Sequence, residues 1–219
     1  MTLMTLPLFP LTTILFPEGL LPLQIFELRY LTMIKKCIAD GTEFGVVAQT
    51  VRKDAPINDE TPLSPEPMSQ EAFVSVGTCA KIVAQSAPQP GLLRVDCVGG
   101  KRFTIVRCEQ QKLGLWVAQV SPIEADQAIS VPQELADTVT ALRQLITALT
   151  HQLEREAIEG QRLPMTKPYL FDDCGWVANR WCELLPVPLE LKQRLMELDN
   201  PLVRLELVGD VLERTGIAQ

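Results

Sequence analysis

The pattern of apolar and polar positions changes period once along the chain, near Asp126. Before it, apolar residues fall in short runs broken by proline and glycine; after it, they recur about every 3.6 residues. The first run, LPLFPLTTILFPEGLLPLQIFELRY from Leu6 to Tyr30, is interrupted by Pro7, Pro10, Pro17 and Pro22. Each proline removes a backbone donor, which rules out a continuous helix. The pattern predicts two strands, Leu6–Phe16 and Leu20–Phe26, joined at Pro17-Glu18-Gly19 by a tight turn in which glycine accepts positive φ. A helical stripe follows through Ile25, Phe26, Leu28, Tyr30, Leu31, Ile34 and Ile38. Glu27, Arg29, Lys35, Lys36 and Asp40 lie mostly on its other face, and Gly41 is its stop. Glu27 and Arg29, embedded in apolar surroundings, must face water or each other, which implies a structural role at the helix start.

The β pattern continues in Glu43–Val51, a run suited to a central strand. Residues 52–71 then hold Pro56, Pro62, Pro65 and Pro67 among five carboxylates, Asp54, Asp59, Glu60, Glu66 and Glu71, and read as a long mobile loop. From Phe73 to Val83 a strand returns, with Gly77 at a bulge or close backbone approach. Pro88 to Gly91 supplies a hairpin turn, Leu92–Val98 the return strand, and Gly99-Gly100 a second turn or bulge before Arg102–Val106. A last strand from Leu115 ends at Pro122. Several short strands with glycine turns and one early helix imply a small, largely antiparallel barrel or curled sheet.

Beyond Asp126, Ser130-x-x-Gln133 has the form of a capping box. Leu135, Val139, Leu142, Ile146, Leu149 and Leu153 form the stripe of a long helix reaching about Glu156, ended by Gly160. Asp172 or Asp173 caps the next helix, which carries Trp176, Val177, Trp181, Leu184 and Leu185. Leu189–Leu198 makes a third, and Asn200-Pro201 opens the last as N-cap and N1. The fold class is α+β: residues 1–125 form a β subdomain and residues 126–219 an α-helical bundle subdomain.

Composition narrows the function. With 47% hydrophobic and 21% charged residues the chain is an ordinary globular one, and its formal charge of −7 disfavours nucleic-acid backbones. The first seventeen residues carry no charge, yet a basic start and small-residue cleavage site are lacking and prolines break the run, so they read as core strand rather than leader or membrane span. Six cysteines show no C-x-x-C pair and read as buried free thiols in a reducing cytoplasm. No G-x-x-x-x-G-K-[ST] or G-x-S-x-G motif is present, and the single histidine, His151, reads as a solvated helix residue. The expectation is a noncatalytic chain without metal or cofactor.

Three stretches carry a family resemblance. FP-x-G, LPL and IFE-x-RY between Phe16 and Tyr30 resemble the start of the Lon protease N-terminal, substrate-binding domain. Gly77, Thr78, Ala80 and Ile82, then Gly99, Arg102 and Ile105, are similar to that family's G-T-x-A-x-I and G-x-x-R-x-x-I segments. LPVPLELKQRLMELDNPLVRLELV, with Asp199, Arg204, Leu205, Glu206 and Val208, resembles its end. The resemblance implies a PUA-like pseudo-β-barrel holding the early helix, followed by a helical bundle. It also implies a polypeptide-binding module for unfolded or tagged substrates, assisting protein quality control. An exposed apolar patch or a sheet edge would receive the substrate. Phe26, Tyr30, Arg102, Phe103 and Trp116 are the candidate contacts. The alternative is a small-molecule or nucleic-acid binder on the same scaffold, which a polar pocket or a basic stripe of Lys101, Arg102 and Arg107 would favour. Oligomeric state is not encoded in any motif.

Overall fold

The computed structural model describes residues 3–49, 73–156 and 162–217. Its strands are β1 (Met4–Leu11), β2 (Leu20–Ile25), β3 (Phe44–Ala48), β4 (Val76–Gln89), β5 (Leu92–Gln110) and β6 (Trp116–Pro122). Its α-helices are α1 (Leu28–Asp40), α2 (Ala136–Glu156), α3 (Cys174–Leu184), α4 (Leu189–Glu197) and α5 (Pro201–Thr215). The strand order is β2-β5-β4-β3-β1-β6, and β6 also pairs with β5, so the sheet curls round on itself. β5 makes this closure possible by its length: Leu93–Val98 pairs with β2, while Phe103–Gln110 pairs with β6. The result is the α+β pseudo-barrel with one early helix, followed by helices. β1 and β3 run parallel because α1 carries the chain back between them; the other strand pairs are antiparallel.

Strand alternation sorts the apolar side chains into clusters. Leu6 and Leu8 of β1 point inward with Val47, Cys79, Phe103, Ala118 and Val120. Phe9 points to the other face, where α1 lays Tyr30, Met33, Ile34 and Cys37 against Phe44, Val46 and Val95. The largest cluster gathers α2 to α5 around Trp176, Val177 and Trp181 and takes in Ile14, Phe16 and Ala48 from the sheet side.

Several local expectations are corrected. β1 stops at Leu11, because the exposed Thr12-Thr13 bend sends Ile14 and Phe16 into the helical cluster and Leu15 under α1. Phe26 and Leu28, assigned to the buried stripe, are 72% and 69% exposed, since α1 begins only at Leu28 and its buried face starts at Tyr30. Gly41 does close α1 in the left-handed region, at φ 64°. In the Pro17-Glu18-Gly19 turn, positive φ falls on Glu18 (63°) rather than on glycine. Gly19 is required for space: a Cβ there would sit 2.0 Å from Glu183 Oε1. Of the turn or bulge expected at Gly99-Gly100, it is the bulge that forms. β5 runs straight through, with Gly100 and Lys101 facing Cys79 in a bulge between the pairs Thr78–Arg102 and Ala80–Gly99. Gly99 is again a matter of room, its Cβ position lying 2.1 Å from Phe16 O.

Phe73 makes only a bridge to Gln49, and β4 extends past Val83 to Gln89 as an exposed ribbon that hydrophobic alternation does not mark. Ser130 does not cap α2; it bridges to Asp173 and its hydroxyl donates to Asp172. Asp173 caps α3 by accepting from Trp176 N at 2.7 Å, and Asn200 caps α5 by accepting from Leu202 N and Val203 N. The 52–71 loop and the Gly160 stop lie outside the described residues.

Candidate functional site

Two buried polar hubs hold the sheet to the helices. In the first, Arg180 of α3 is fully buried and donates to Glu18 O (2.7 Å), Pro17 O (2.8 Å) and Glu183 Oε1 (3.0 Å). The cation thereby satisfies turn carbonyls that would otherwise be stranded away from water. Burial pushes the Glu183 carboxyl up to about 8, against the opposing pull of Arg180 and Lys192. In the second hub, Asp126 accepts from both Arg102 and Arg204, each nearly inaccessible. Arg102 also reaches Met196 O (2.7 Å) and Leu198 O (3.1 Å). Arg204 reaches Leu195 O (2.9 Å), Asn179 Oδ1 (2.9 Å) and Leu198 O. Together they cap the C-terminal carbonyls of α4. These arginines are spent on architecture.

A cleft of about 450 Å³ opens on the surface between α1 and the outer face of the β1–β6 ladder. Arg29, Thr32, Met33 and Lys36 recur at helical spacing and form one wall. Thr5 and Pro7 occupy alternate positions of β1 on one face, and Val117 stands opposite Pro7. The turn at residues 112–114 closes one end, with Leu113 76% exposed and held at φ 70°. Arg29 fastens that turn to the helix: Nη1 donates to Gly114 O at 2.9 Å and Nε pairs with Glu27 at 3.0 Å. Phe26 and Leu28, at the start of α1, bring two more exposed apolar side chains to the end of the helix that carries Arg29.

The five sequence candidates do not form one surface. Phe26 is exposed at the entry to α1; Tyr30 is buried and stacks on Phe9 at 4.1 Å. Arg102 sits in the second hub, Phe103 is 1% exposed in the barrel interior, and Trp116 is half-buried, edge-on to Phe73 at 5.3 Å. Because Arg102 turns inward, Lys101, Arg102 and Arg107 make no continuous basic stripe. Met33, Lys36, Leu113 and Val117 were not singled out from the sequence. A leucine isolated in EQQKLG, next to a glycine, was the available signal.

His151 is exposed on α2 beside Glu154, 3.4 Å away. Cys37, Cys79, Cys97, Cys174 and Cys182 are buried, whereas Cys108 is exposed. Among the described residues, no group of three or more His, Cys, Asp or Glu is placed to hold a metal ion, and no helix is long and apolar enough to cross a membrane.

A family model, the ATP-dependent protease La (LON) substrate-binding domain, matches residues 5–214. The Lon protease of Anaeromyxobacter dehalogenans (strain 2CP-C) is 26% identical over 214 residues, covering 95% of this chain and 23% of that protein. Lon protease 2 of Myxococcus xanthus is 27% identical with the same coverage. The chain thus spans about a quarter of the length of the curated relatives it matches. Among solved structures, a Lon N-terminal domain protein from Xanthomonas campestris superposes with a TM-score of 0.69 at 26% identity, covering 94% of this chain and 96% of that one. The N-terminal domain of a Mycobacterium avium complex Lon protease shares the fold, with a TM-score of 0.58 at 16% identity over 94% of this chain and 97% of that one.

Proposed function

This chain belongs to the LON substrate-binding domain family, and from that membership we propose that it recognises polypeptide substrates, catalysing no reaction itself. Unfolded or tagged chains entering cytoplasmic quality control are the natural class of substrate. The observation that carries the proposal is the cleft between α1 and the β1–β6 ladder, an apolar trough with Leu113 exposed at its end. Exposed apolar side chains at such a site mark a binding surface, and a leucine held in the left-handed region costs about 1–2 kcal/mol, a strain of the kind that collects at functional sites. Of the sequence candidates, Phe26 is retained as a contact; Tyr30, Phe103 and Trp116 support the walls from behind. In this reading residues 1–125 present the cleft and residues 126–219 brace it through the two arginine hubs.

The test is fluorescence anisotropy with unstructured apolar peptides on the folded chain and on Val117→Arg, which places a charge in the trough. The variant is expected to weaken binding about tenfold, equivalent to about 1.4 kcal/mol. Absence of binding by the folded wild-type chain up to about millimolar peptide, an affinity of about −4 kcal/mol, overturns the proposal.

A further inference from the structure

Resting on that polypeptide reading, we infer that the α1–β6 cleft selects segments in which apolar residues are flanked by carboxylates. The chain carries a formal charge of −7, yet the cleft is lined by Arg29, Lys36 and Lys112 and by no Asp or Glu. Arg29 is offset by its pair with Glu27, so the surplus positive charge rests on Lys36 and Lys112, both exposed. Lys36 stands on the helical wall and Lys112 on the closing turn, and Met33, Leu115 and Val117 line the same cleft. The acids beside it lie outside the lining; Glu43, next to Thr42, lines the adjoining recess with Lys81. Asp40 is one turn beyond Lys36, and Glu109, paired across the ladder from Val117, lines a neighbouring recess together with Arg107. Apolar lining with an exposed ammonium group on each of two walls matches a segment that buries apolar side chains while its Asp or Glu residues reach the rim. Such rim charges set partner choice and association rate more than total affinity.

Three peptides of one unstructured apolar sequence, flanked by Glu, Gln or Lys, separate the possibilities in anisotropy titrations at low and high salt. The wild-type chain is expected to bind the Glu peptide about three- to tenfold more tightly than the Gln peptide, from two exposed ion pairs. The Lys peptide comes last, and the gap closes as salt screens the rim. This order runs against the net charge, which alone would favour the Lys peptide. Lys36→Glu/Lys112→Glu should reverse the order of the Glu and Lys peptides, and Arg194→Glu, on the exposed face of α4 and away from the cleft, should leave the order intact and the Gln peptide within about twofold. A flat or Lys-first order in the wild type, or a Glu preference that survives the double reversal, overturns the inference while Gln-peptide binding leaves the polypeptide reading standing. If none of the three binds the folded chain, that reading falls as well.

Discussion

Arg204→Met tests the idea that buried guanidinium groups, more than apolar contact alone, hold the last helices in register. The wild-type side chain is 1% exposed and donates to both carboxylate oxygens of Asp126, to Asn179 Oδ1 and to the carbonyls of Leu195 and Leu198. Methionine refills most of the volume but leaves the Leu195 and Leu198 carbonyls at the end of α4 and the Asn179 amide oxygen without this donor. Among the described residues, Asp126 then keeps Arg102 alone as a cationic partner. Removing one member of a buried ionic group costs about 3–5 kcal/mol. For a chain of 219 residues each kcal/mol moves the midpoint about 2–4 °C, so a fall in Tm of about 6–20 °C is expected. Urea unfolding followed by tryptophan fluorescence measures the loss directly, and a cycle with Asp126→Asn should return a coupling of at least about 1 kcal/mol. A loss below about 1 kcal/mol, or strict additivity with Asp126→Asn, would refute the reasoning.

Two further outcomes follow from the first hub. Gly19→Ala drives a methyl to 2.0 Å from Glu183 Oε1 and 3.0 Å from Phe16 O, and should cost about 2–4 kcal/mol in urea unfolding. Gly41→Ala, at φ 64° with nothing within 4 Å, should cost only about 1 kcal/mol; equal losses would sink the space argument. The Glu183 carboxyl, raised from 4.5 to about 8, makes the folded chain hold a proton that the unfolded chain has released between those values. Its contribution to stability is therefore full below pH 4.5 and lost as pH rises to about 8. Between pH 6 and pH 9, Glu183→Gln should flatten the decline by on the order of 2–3 kcal/mol, from about two pH units of that window, and parallel pH profiles for the two proteins would contradict it.

What could be read from the residues was whatever local chemistry decides. Gly41 ends α1 and Asn200-Pro201 opens α5 because each needs only its immediate neighbours, and the change of period near Asp126 separates sheet from helices. Where a distant partner decides, reading along the chain failed. Positive φ fell on Glu18 because Gly19 must admit Glu183 and because Arg180, 162 positions away, holds the Pro17 and Glu18 carbonyls. Ser130 had the spacing of a helix cap but is engaged by Asp172 and Asp173 instead. Arg102 looked like a surface cation because nothing near it in sequence reveals that α4 ends beside it. The cleft was hidden for the same reason. Its walls come from β1, α1 and the turn before β6, and only the curl of the sheet brings Pro7, Met33 and Leu113 together. Phe26 was nominated, but its exposure was not foreseen, since a 3.6-residue stripe drawn from Ile25, three residues before α1 begins, buries it.

The seam between β1 and β6 also dictates a timetable. Met4 finds its partner only when Val120 has been made, so during synthesis the opening strand leaves the ribosome with its greasy side chains uncovered. Pairings that span so much chain form slowly, because the entropy of closing the intervening loop is lost before any contact repays it. A nascent chain of this kind, its first strand paired with β3 through Leu8–Leu11 but open at Met4–Pro7 until β6 is made, passes through the condition in which aggregation competes with folding and chaperones bind.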